Sequence, residues 1–137
     1  MTQDKRVEIA YRGPANPCVD AQPQKPLSPE TARVVALSAW RLPGRLRLTD
    51  HFNMRVRQRN FDIFDVEYVI RRGTPVGNAV FCRGKGRNNY KYRFWGKIDG
   101  LGLRVVFAID ATQDYHSAPL VILITAAWDT KTGSRKR

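Results

Sequence analysis

The spacing of apolar residues changes at Pro75, and this change constrains the fold more than any other feature of the sequence. Over residues 62–73, apolar side chains recur every three or four positions, which is the period of a helix that packs on one side. Over residues 101–110, every second side chain is apolar, as in a strand with one buried face. A chain that forms helices first and strands afterwards folds as an α+β domain.

Three helices are predicted before Pro75. The first covers residues 28–40, where an N-cap serine precedes a proline at the first helical position. Val34 and Leu37 are expected on its apolar face. The second helix begins at the N-cap Thr49 and ends at Asn60. The third begins at the N-cap Asp62 and ends at Gly73, where we expect a left-handed C-cap conformation.

Four strands are predicted after Pro75, over residues 76–83, 89–98, 101–110 and 120–128. The Asp-Gly pair at 99–100 is typical of a hairpin turn, so the strands are expected to pair as an antiparallel meander. The sequence therefore predicts an α+β fold in which the N-terminal helices pack on one face of a four-stranded antiparallel sheet.

The predicted domain organisation is simple. A chain of 137 residues fits one domain, which we place at residues 28–130. A proline-rich extended arm precedes it over residues 1–27, with a possible short strand at 7–12, and a basic tail follows over residues 131–137.

The chain is strongly basic. It has 24 Lys and Arg against 12 Asp and Glu, a formal net charge of +12. Six arginines lie within residues 41–59, and six further lysines and arginines lie within residues 83–97. A surface that only keeps the protein soluble would show a similar composition. Two separate basic clusters favour a polyanionic partner, with nucleic acid as the first candidate and an acidic protein as the second.

No metal, cofactor or membrane partner is expected. Cys18 and Cys82 lie far apart and can be two free thiols or one disulfide. No Cys/His spacing matches a zinc site, and no paired acidic residues indicate a two-metal nuclease. No stretch is long enough to span a membrane, and no signal peptide is visible. The sequence predicts a cytoplasmic protein and leaves export as an effector open.

The second predicted helix carries a pattern typical of a phosphate site. His51, Arg55 and Arg59 are spaced four apart and share one helix face, with neighbouring Cβ atoms about 5–6 Å apart. An imidazole can move a proton, and a guanidinium group can bind phosphate bidentately. Two structural alternatives stay open. His51 can be a helix-start residue bonded to a neighbouring group, and the arginines can form ion pairs with nearby acidic residues.

The strand over residues 89–98 alternates between two kinds of surface. Lys91, Arg93 and Trp95 share one face, which suits phosphate contacts and base stacking. Tyr92 points to the other face and can contact nucleic acid only if that face lies outside the core. An ordinary exposed strand face would show the same residues, but the adjacent basic loop favours binding. The predicted nucleic-acid contacts are Lys85, Arg87, Lys91, Tyr92 and Trp95.

These features resemble small bacterial domains of unassigned function related to the BrnT and RelE/ParE-like toxins. The resemblance covers about residues 48–128. It comprises a His-x-x-x-Arg-x-x-x-Arg helix, an acidic-started helix that ends in glycine, a basic strand, and strands of the LRVVFAID and VILITAAW types. The matching residues are His51, Arg55, Arg59, Phe61, Val66, Ile70, Gly73, Arg93, Gly100, 103–106 and 122–126.

The resemblance implies a toxin-like, metal-independent ribonuclease, neutralised by a cognate antitoxin or immunity protein that is expected to be acidic. In that chemistry the 2′-OH attacks the adjacent phosphorus, His51 takes its proton, and Arg55, Arg59 and Arg93 stabilise the phosphorane. Thr125 is a minor candidate at the end of a strand. Two alternatives remain, namely a non-catalytic nucleic-acid-binding module and a protein-interaction domain with an acidic partner.

Overall fold

A computed structural model describes residues 24–84 and 87–129. The predicted strand at 7–12, most of the predicted arm, Cys18, Lys85 and the basic tail lie outside the described residues. In chain order the elements are α1 (Pro29–Ala39), β1 (Leu46–Leu48), α2 (Asp50–Arg59), α3 (Ile63–Arg72), β2 (Thr74–Pro75), β3 (Val80–Gly84), β4 (Arg87–Ile98), β5 (Leu101–Asp110) and β6 (Val121–Trp128).

The predicted helix starts are confirmed by their N-caps. The side chain of Ser28 accepts a hydrogen bond from a backbone N–H in the first turn of α1, and Thr49 does the same for α2. Asp62 and Asp65 form a reciprocal capping box at the start of α3. Asn60 ends α2 in the left-handed conformation with φ of 58°. Local sequence therefore sets where each helix begins.

The strands form a six-stranded mixed sheet in the order β1-β6-β5-β4-β2, with β3 also pairing with β4. The α+β class is confirmed, but the predicted four-stranded antiparallel sheet is wrong. β1 adds a parallel edge strand, with Leu46 opposite Val121 on β6. β2 adds a two-residue antiparallel pairing with β4, where Thr74 lies opposite Trp95. Both additions are too short to show a period of two in the sequence.

The helices lie on one side of this sheet. Phe107 of β5 is at the centre of the buried face, and the rings of Tyr92 and Phe94 on β4 stack against it with centroid distances of 5.7 Å. Phe52 of α2 is fully buried in the same core. The alternate residues of β4 and β5 point to the opposite side of the sheet, which no described helix covers.

The junction between α3 and β2 requires glycine for a reason that differs from the prediction. Gly73 has φ of −79° and ψ of −178°, so it is extended, and the predicted left-handed C-cap is wrong. A Cβ atom at this position would overlap the carbonyl oxygen of Val69 and would lie 2.6 Å from the carbonyl oxygen of Trp95. Glycine is needed because the β4 backbone passes directly beside the helix end.

Arg33 of α1 caps the same end of α3. Its Nη1 donates to the carbonyl oxygens of Ile70 and Arg71 at 3.0 and 2.7 Å. Its Nη2 donates to the carbonyl oxygen of Gly73 at 3.0 Å. The guanidinium also lies over the ring of Phe94, with 5.1 Å from Cζ to the ring centroid. The cation thus compensates carbonyls that have no partner within the helix, and it fixes α1 to α3.

Residues 24–27, predicted as the end of the arm, are held against the domain. The backbone N–H of Leu27 donates to the Tyr92 hydroxyl, and that hydroxyl donates to the carbonyl oxygen of Leu27, both at 2.9 Å. The Tyr115 hydroxyl donates to the carbonyl oxygen of Lys25 at 3.0 Å. The folded domain therefore begins before the N-cap of α1.

Candidate nucleic-acid interface

The side of the sheet opposite the helices carries the predicted basic residues of β4. Arg93 and Lys97 are exposed there, and Lys91 and Trp95 are half-buried. Arg104 of β5 is the cross-strand neighbour of Trp95 and is also exposed. We call this surface the open face, with the outward side chains Lys91, Arg93, Trp95, Lys97, Arg104, Val106 and Thr125.

Arg104 is a site residue that the sequence analysis did not single out. It could have been found, because it is the one charged residue between the ends of an otherwise apolar strand. A charge in that position must lie on the face away from the core, unless it has a buried partner. The alternation of residues in β4 is enough to predict that Trp95 lies on this face. That Arg104 lies beside Trp95 follows only from the pairing of β4 with β5.

Trp95 is held in one position on the open face. Its Nε1 donates to a carboxylate oxygen of Asp129 at 3.2 Å. The indole lies directly over Gly102 of β5, where an added Cβ atom would come within 2.6–2.9 Å of three indole atoms. Because Gly102 has no side chain, the indole of Trp95 can pack directly on the backbone of β5 at this position. A fixed aromatic ring beside a cation is suited to stacking an unpaired base.

A pocket of about 240 Å³ opens on the same face, across β4, β5 and β6. It is lined by Val76, Arg93, Phe94, Arg104, Val106, Thr125 and Ala127. In the strand register Arg93 lies opposite Val106, and Arg104 lies opposite Trp95, so the two arginines are diagonal neighbours on adjacent strands. The lining thus has two guanidinium groups and a hydroxyl, and it has no carboxylate.

Neither arginine is neutralised within residues 24–84 and 87–129, where neither guanidinium forms a hydrogen bond or an ion pair. The chain segment at residues 76–77 passes beside Arg93. Its Nη2 passes so close to Gly77 that an added Cβ atom there would lie 2.8 Å away. The N–H of Val76 donates to the carbonyl oxygen of Arg93 at 2.8 Å and holds this segment against β4. Two unpaired guanidinium groups in a partly apolar pocket attract an anion.

The predicted stripe on α2 is present in part. Arg55 Nε donates to Nε2 of His51 at 3.3 Å, and Arg55 Nη1 donates to the side chain of Gln58 at 3.1 Å. His51 is exposed, and Arg55 and Arg59 are half-buried. The described acidic residues form no ion pair with Arg55 or Arg59. The two side chains lie side by side on α2, so this pair can approach a phosphate together.

The predicted catalytic set of His51, Arg55, Arg59 and Arg93 is divided by the sheet. Arg93 lies on β4, and β5 separates it from β6, against which α2 packs. At about 4.8 Å between strands, Arg93 is about 10 Å from β6, and its side chain lies on the face of the sheet opposite the helices. One phosphodiester cannot contact the His51–Arg55 pair and Arg93 at once. The structure therefore offers two separate basic sites.

Tyr92 belongs to the core, so its predicted contact with nucleic acid is wrong. The residue is 2% exposed, and its hydroxyl is bonded to the backbone of Leu27. Burial raises the pKa of the Tyr92 phenol above its ordinary value, which disfavours proton donation at neutral pH. Among the other predicted contacts, Lys91 and Trp95 lie on the open face, and Arg87 is the first residue of β4.

Comparisons with known proteins assign no function to either site. No family model, curated protein or solved structure matches this chain. The resemblance to the BrnT and RelE/ParE-like toxins therefore stays a prediction. In the described part of the chain, no group of three or more His, Cys, Asp or Glu side chains is placed to hold a metal ion. None of the described helices is long and apolar enough to cross a membrane.

Proposed function

We propose that this protein binds single-stranded nucleic acid, RNA in the first place, on the open face of its sheet. The observation that carries the proposal is the pair of unpaired guanidinium groups of Arg93 and Arg104 beside the fixed indole of Trp95. Proteins that hold single strands combine cations for the phosphates with aromatic side chains for the bases. The net charge of +12 adds long-range attraction to any polyanion.

A single strand suits this surface better than a duplex. Stacking on Trp95 requires a base with a free face, and the bases of a duplex are already stacked and paired. The pocket between Arg93 and Arg104 accepts a group smaller than a helix, since its volume is about 240 Å³. We therefore expect binding that depends weakly on sequence and strongly on an unpaired strand.

The proposal is tested by anisotropy with a labelled single-stranded RNA of about ten nucleotides, a length within the usual range for such sites. Arg104→Gln removes one charge from the open face. Arg72→Gln removes one charge from an exposed arginine at the end of α3 and serves as the matched control. Arg104→Gln is expected to weaken binding about tenfold, or ~1.4 kcal/mol. The control variant is expected to change the RNA affinity about twofold or less, because it loses only long-range electrostatic attraction and no direct phosphate contact. If Arg104→Gln and Arg72→Gln weakened binding equally, the open face would not be the binding surface.

A toxin-like, metal-independent ribonuclease, with an acidic antitoxin or immunity protein as partner, is a second candidate. The contact of Arg55 with His51 Nε2 favours it. Arg55 would turn from His51 to the phosphate, which frees Nε2 of His51 to take the proton of the 2′-OH as that oxygen attacks the adjacent phosphorus. Arg55 with Arg59 would then stabilise the charge on the phosphorane. The 5′-oxygen would then leave with a proton from an acid. This reaction uses α2 and does not require Arg93.

Cleavage of RNA in the presence of EDTA separates the two candidates. If α2 is catalytic, the wild type leaves 2′,3′-cyclic phosphate ends, and His51→Ala and Arg55→Ala both lose this activity. Arg104→Gln serves as the control, because it is expected to weaken RNA binding without removing the chemistry. Intact RNA at high protein concentration would rule out the second candidate and leave the binding function untouched.

A further inference from the structure

The pocket on the open face carries more positive charge than one internal phosphodiester balances. An internal phosphodiester has one negative charge, whereas a terminal phosphomonoester carries about −1.5 to −2 near pH 7 and has three free oxygens. Arg93 and Arg104 both line the pocket, and no carboxylate does. A phosphomonoester dianion therefore matches the charge and the donor geometry of two guanidinium groups.

The donors come from separate strands that the sheet holds in fixed register. Arg93 lies on β4, and its Nη2 passes over Gly77, where an added Cβ atom would lie 2.8 Å from it. Arg104 lies on β5 next to Trp95. Thr125 on β6 lies opposite Val106 and adds a hydroxyl to the lining. Backbone pairing sets the positions from which these three side chains reach the pocket, so a ligand has to order the side chains but not the strands.

The size and the neighbours of the pocket indicate one nucleotide rather than a longer run. Its volume of about 240 Å³ is smaller than that of typical drug-sized sites, which span about 300–1,000 Å³. Val76, Val106 and Ala127 give it an apolar lining that suits a sugar ring. Trp95 is the cross-strand neighbour of Arg104, which places an aromatic side chain next to the pocket for the base attached to that sugar.

From these observations we infer that the pocket between Arg93 and Arg104 binds the phosphomonoester of a nucleotide at the end of a nucleic-acid strand. The base of that nucleotide stacks on Trp95. The inference rests on the proposed function, because it names the group that the open face recognises. It assigns Arg93 and Arg104 to the terminal phosphate, and it leaves Lys91 and Lys97 to the backbone phosphates that follow.

The test compares single-stranded RNAs of one sequence that differ only in their ends, by competition at physiological ionic strength. One carries a 5′-phosphate, one a 3′-phosphate, and one hydroxyls at both ends. A hydroxyl-ended strand that is one nucleotide longer controls for the added charge. Either the 5′-phosphorylated or the 3′-phosphorylated strand is expected to bind about tenfold tighter than both hydroxyl-ended strands. A factor of about ten is expected from one charge-assisted hydrogen bond.

Variants locate the preference in the pocket. Arg93→Gln and Arg104→Gln are both expected to abolish it, and both residues are exposed, so neither change disturbs the core. Lys97→Gln removes a charge from the same face outside the pocket, so it is expected to weaken all strands alike and to keep the preference. A preference that survives Arg93→Gln and Arg104→Gln would overturn the assignment of these residues.

The outcomes separate the inference from the proposed function. Equal affinity for phosphorylated and hydroxyl-ended strands overturns the inference and leaves nucleic-acid binding intact. If no strand binds, the proposed function fails, and adenosine 5′-monophosphate is compared with adenosine. Binding of the monophosphate alone, lost in Arg104→Gln, supports the phosphomonoester site with a free nucleotide as its ligand. Binding of neither overturns the inference as well.

Discussion

Among single residues, Arg33 has a well-defined stabilising role that can be measured. Replacing it with Met keeps an unbranched apolar stem and removes the donors to the carbonyl oxygens of Ile70, Arg71 and Gly73. Arg33→Met is expected to lower the free energy of unfolding by about 1–3 kcal/mol, because these hydrogen bonds come from a charged group. Denaturation in urea measures the change.

Glu30→Gln provides the control for this prediction. Glu30 binds the same guanidinium at 3.0 Å, but its side chain is 69% exposed. A solvated ion pair contributes about 0–1 kcal/mol, so this variant is expected to stay close to the wild type. Equal losses in the two variants would show that the cap on α3 does not stabilise the fold.

Residue-level predictions succeeded where the cause is local. The caps at Ser28, Thr49 and Asp62 depend on residues within one turn, so the sequence alone places them. Gly73 was placed correctly for a reason that proved wrong, since glycine is required by the crowding of carbonyl groups from Val69 in α3 and Trp95 in β4. The role of Arg33 depends on contacts 37 to 40 residues away, which no local pattern encodes.

At the scale of elements, two tyrosines attach residues 24–27 to the sheet and make stability depend on pH. Burial raises the pKa of Tyr115 to about 12, and burial also raises the pKa of Tyr92, from an ordinary value of 10.0. The folded state therefore keeps protons that the unfolded chain loses near pH 10. Stability is expected to be complete below about pH 10 and to fall as the pH rises towards 12.

Tyr115→Phe tests this cause. The variant loses the hydrogen bond to Lys25 and is expected to be less stable at neutral pH. Because it has no phenol at this position, its urea midpoint is expected to fall less steeply than that of the wild type between about pH 10 and pH 12. Parallel pH profiles for the two proteins would show that Tyr115 does not couple to folding.

Elements were predicted well when they were long enough to show a period. β5 and β6 match their predicted ranges to within one residue, and β4 begins two residues early. β1 and β2 have three and two residues and show no period. α1 was predicted to bury Val34, which is 64% exposed, and it instead buries Val35 and three alanines, namely Ala32, Ala36 and Ala39. Where a helix packs closely on its neighbours, small side chains fit best at the contact. A prediction from hydropathy instead favours large apolar side chains such as Val34.

At the scale of the whole molecule, the fold places the helices on one side and leaves the open face on the other. The alternation of β4 predicted that Lys91, Arg93 and Trp95 share a face. It could not show that α2 packs against β6, two strands away from β4, because strand order depends on long-range pairing. The predicted single site therefore became two, and the open face gained Arg104 from β5.

Salt dependence tests whether the open face contacts phosphates directly. For a single strand, the logarithm of the binding constant falls with the logarithm of salt concentration by about 0.7 for each phosphate neutralised. Arg104→Gln is expected to make this slope shallower by about 0.7, because one contact is lost. Arg72→Gln is expected to keep the wild-type slope. Identical slopes in all three proteins would place Arg104 outside the phosphate contacts.

NMR of isotope-labelled protein titrated with single-stranded RNA shows directly whether nucleic acid lies on the open face. We expect shifts of the Trp95 indole N–H and of the backbone amides of Arg93, Arg104 and Thr125, with the signals of His51 largely unchanged. Shifts confined to α2, with the indole of Trp95 unmoved, would overturn binding on the open face and assign it to the His51–Arg55 pair.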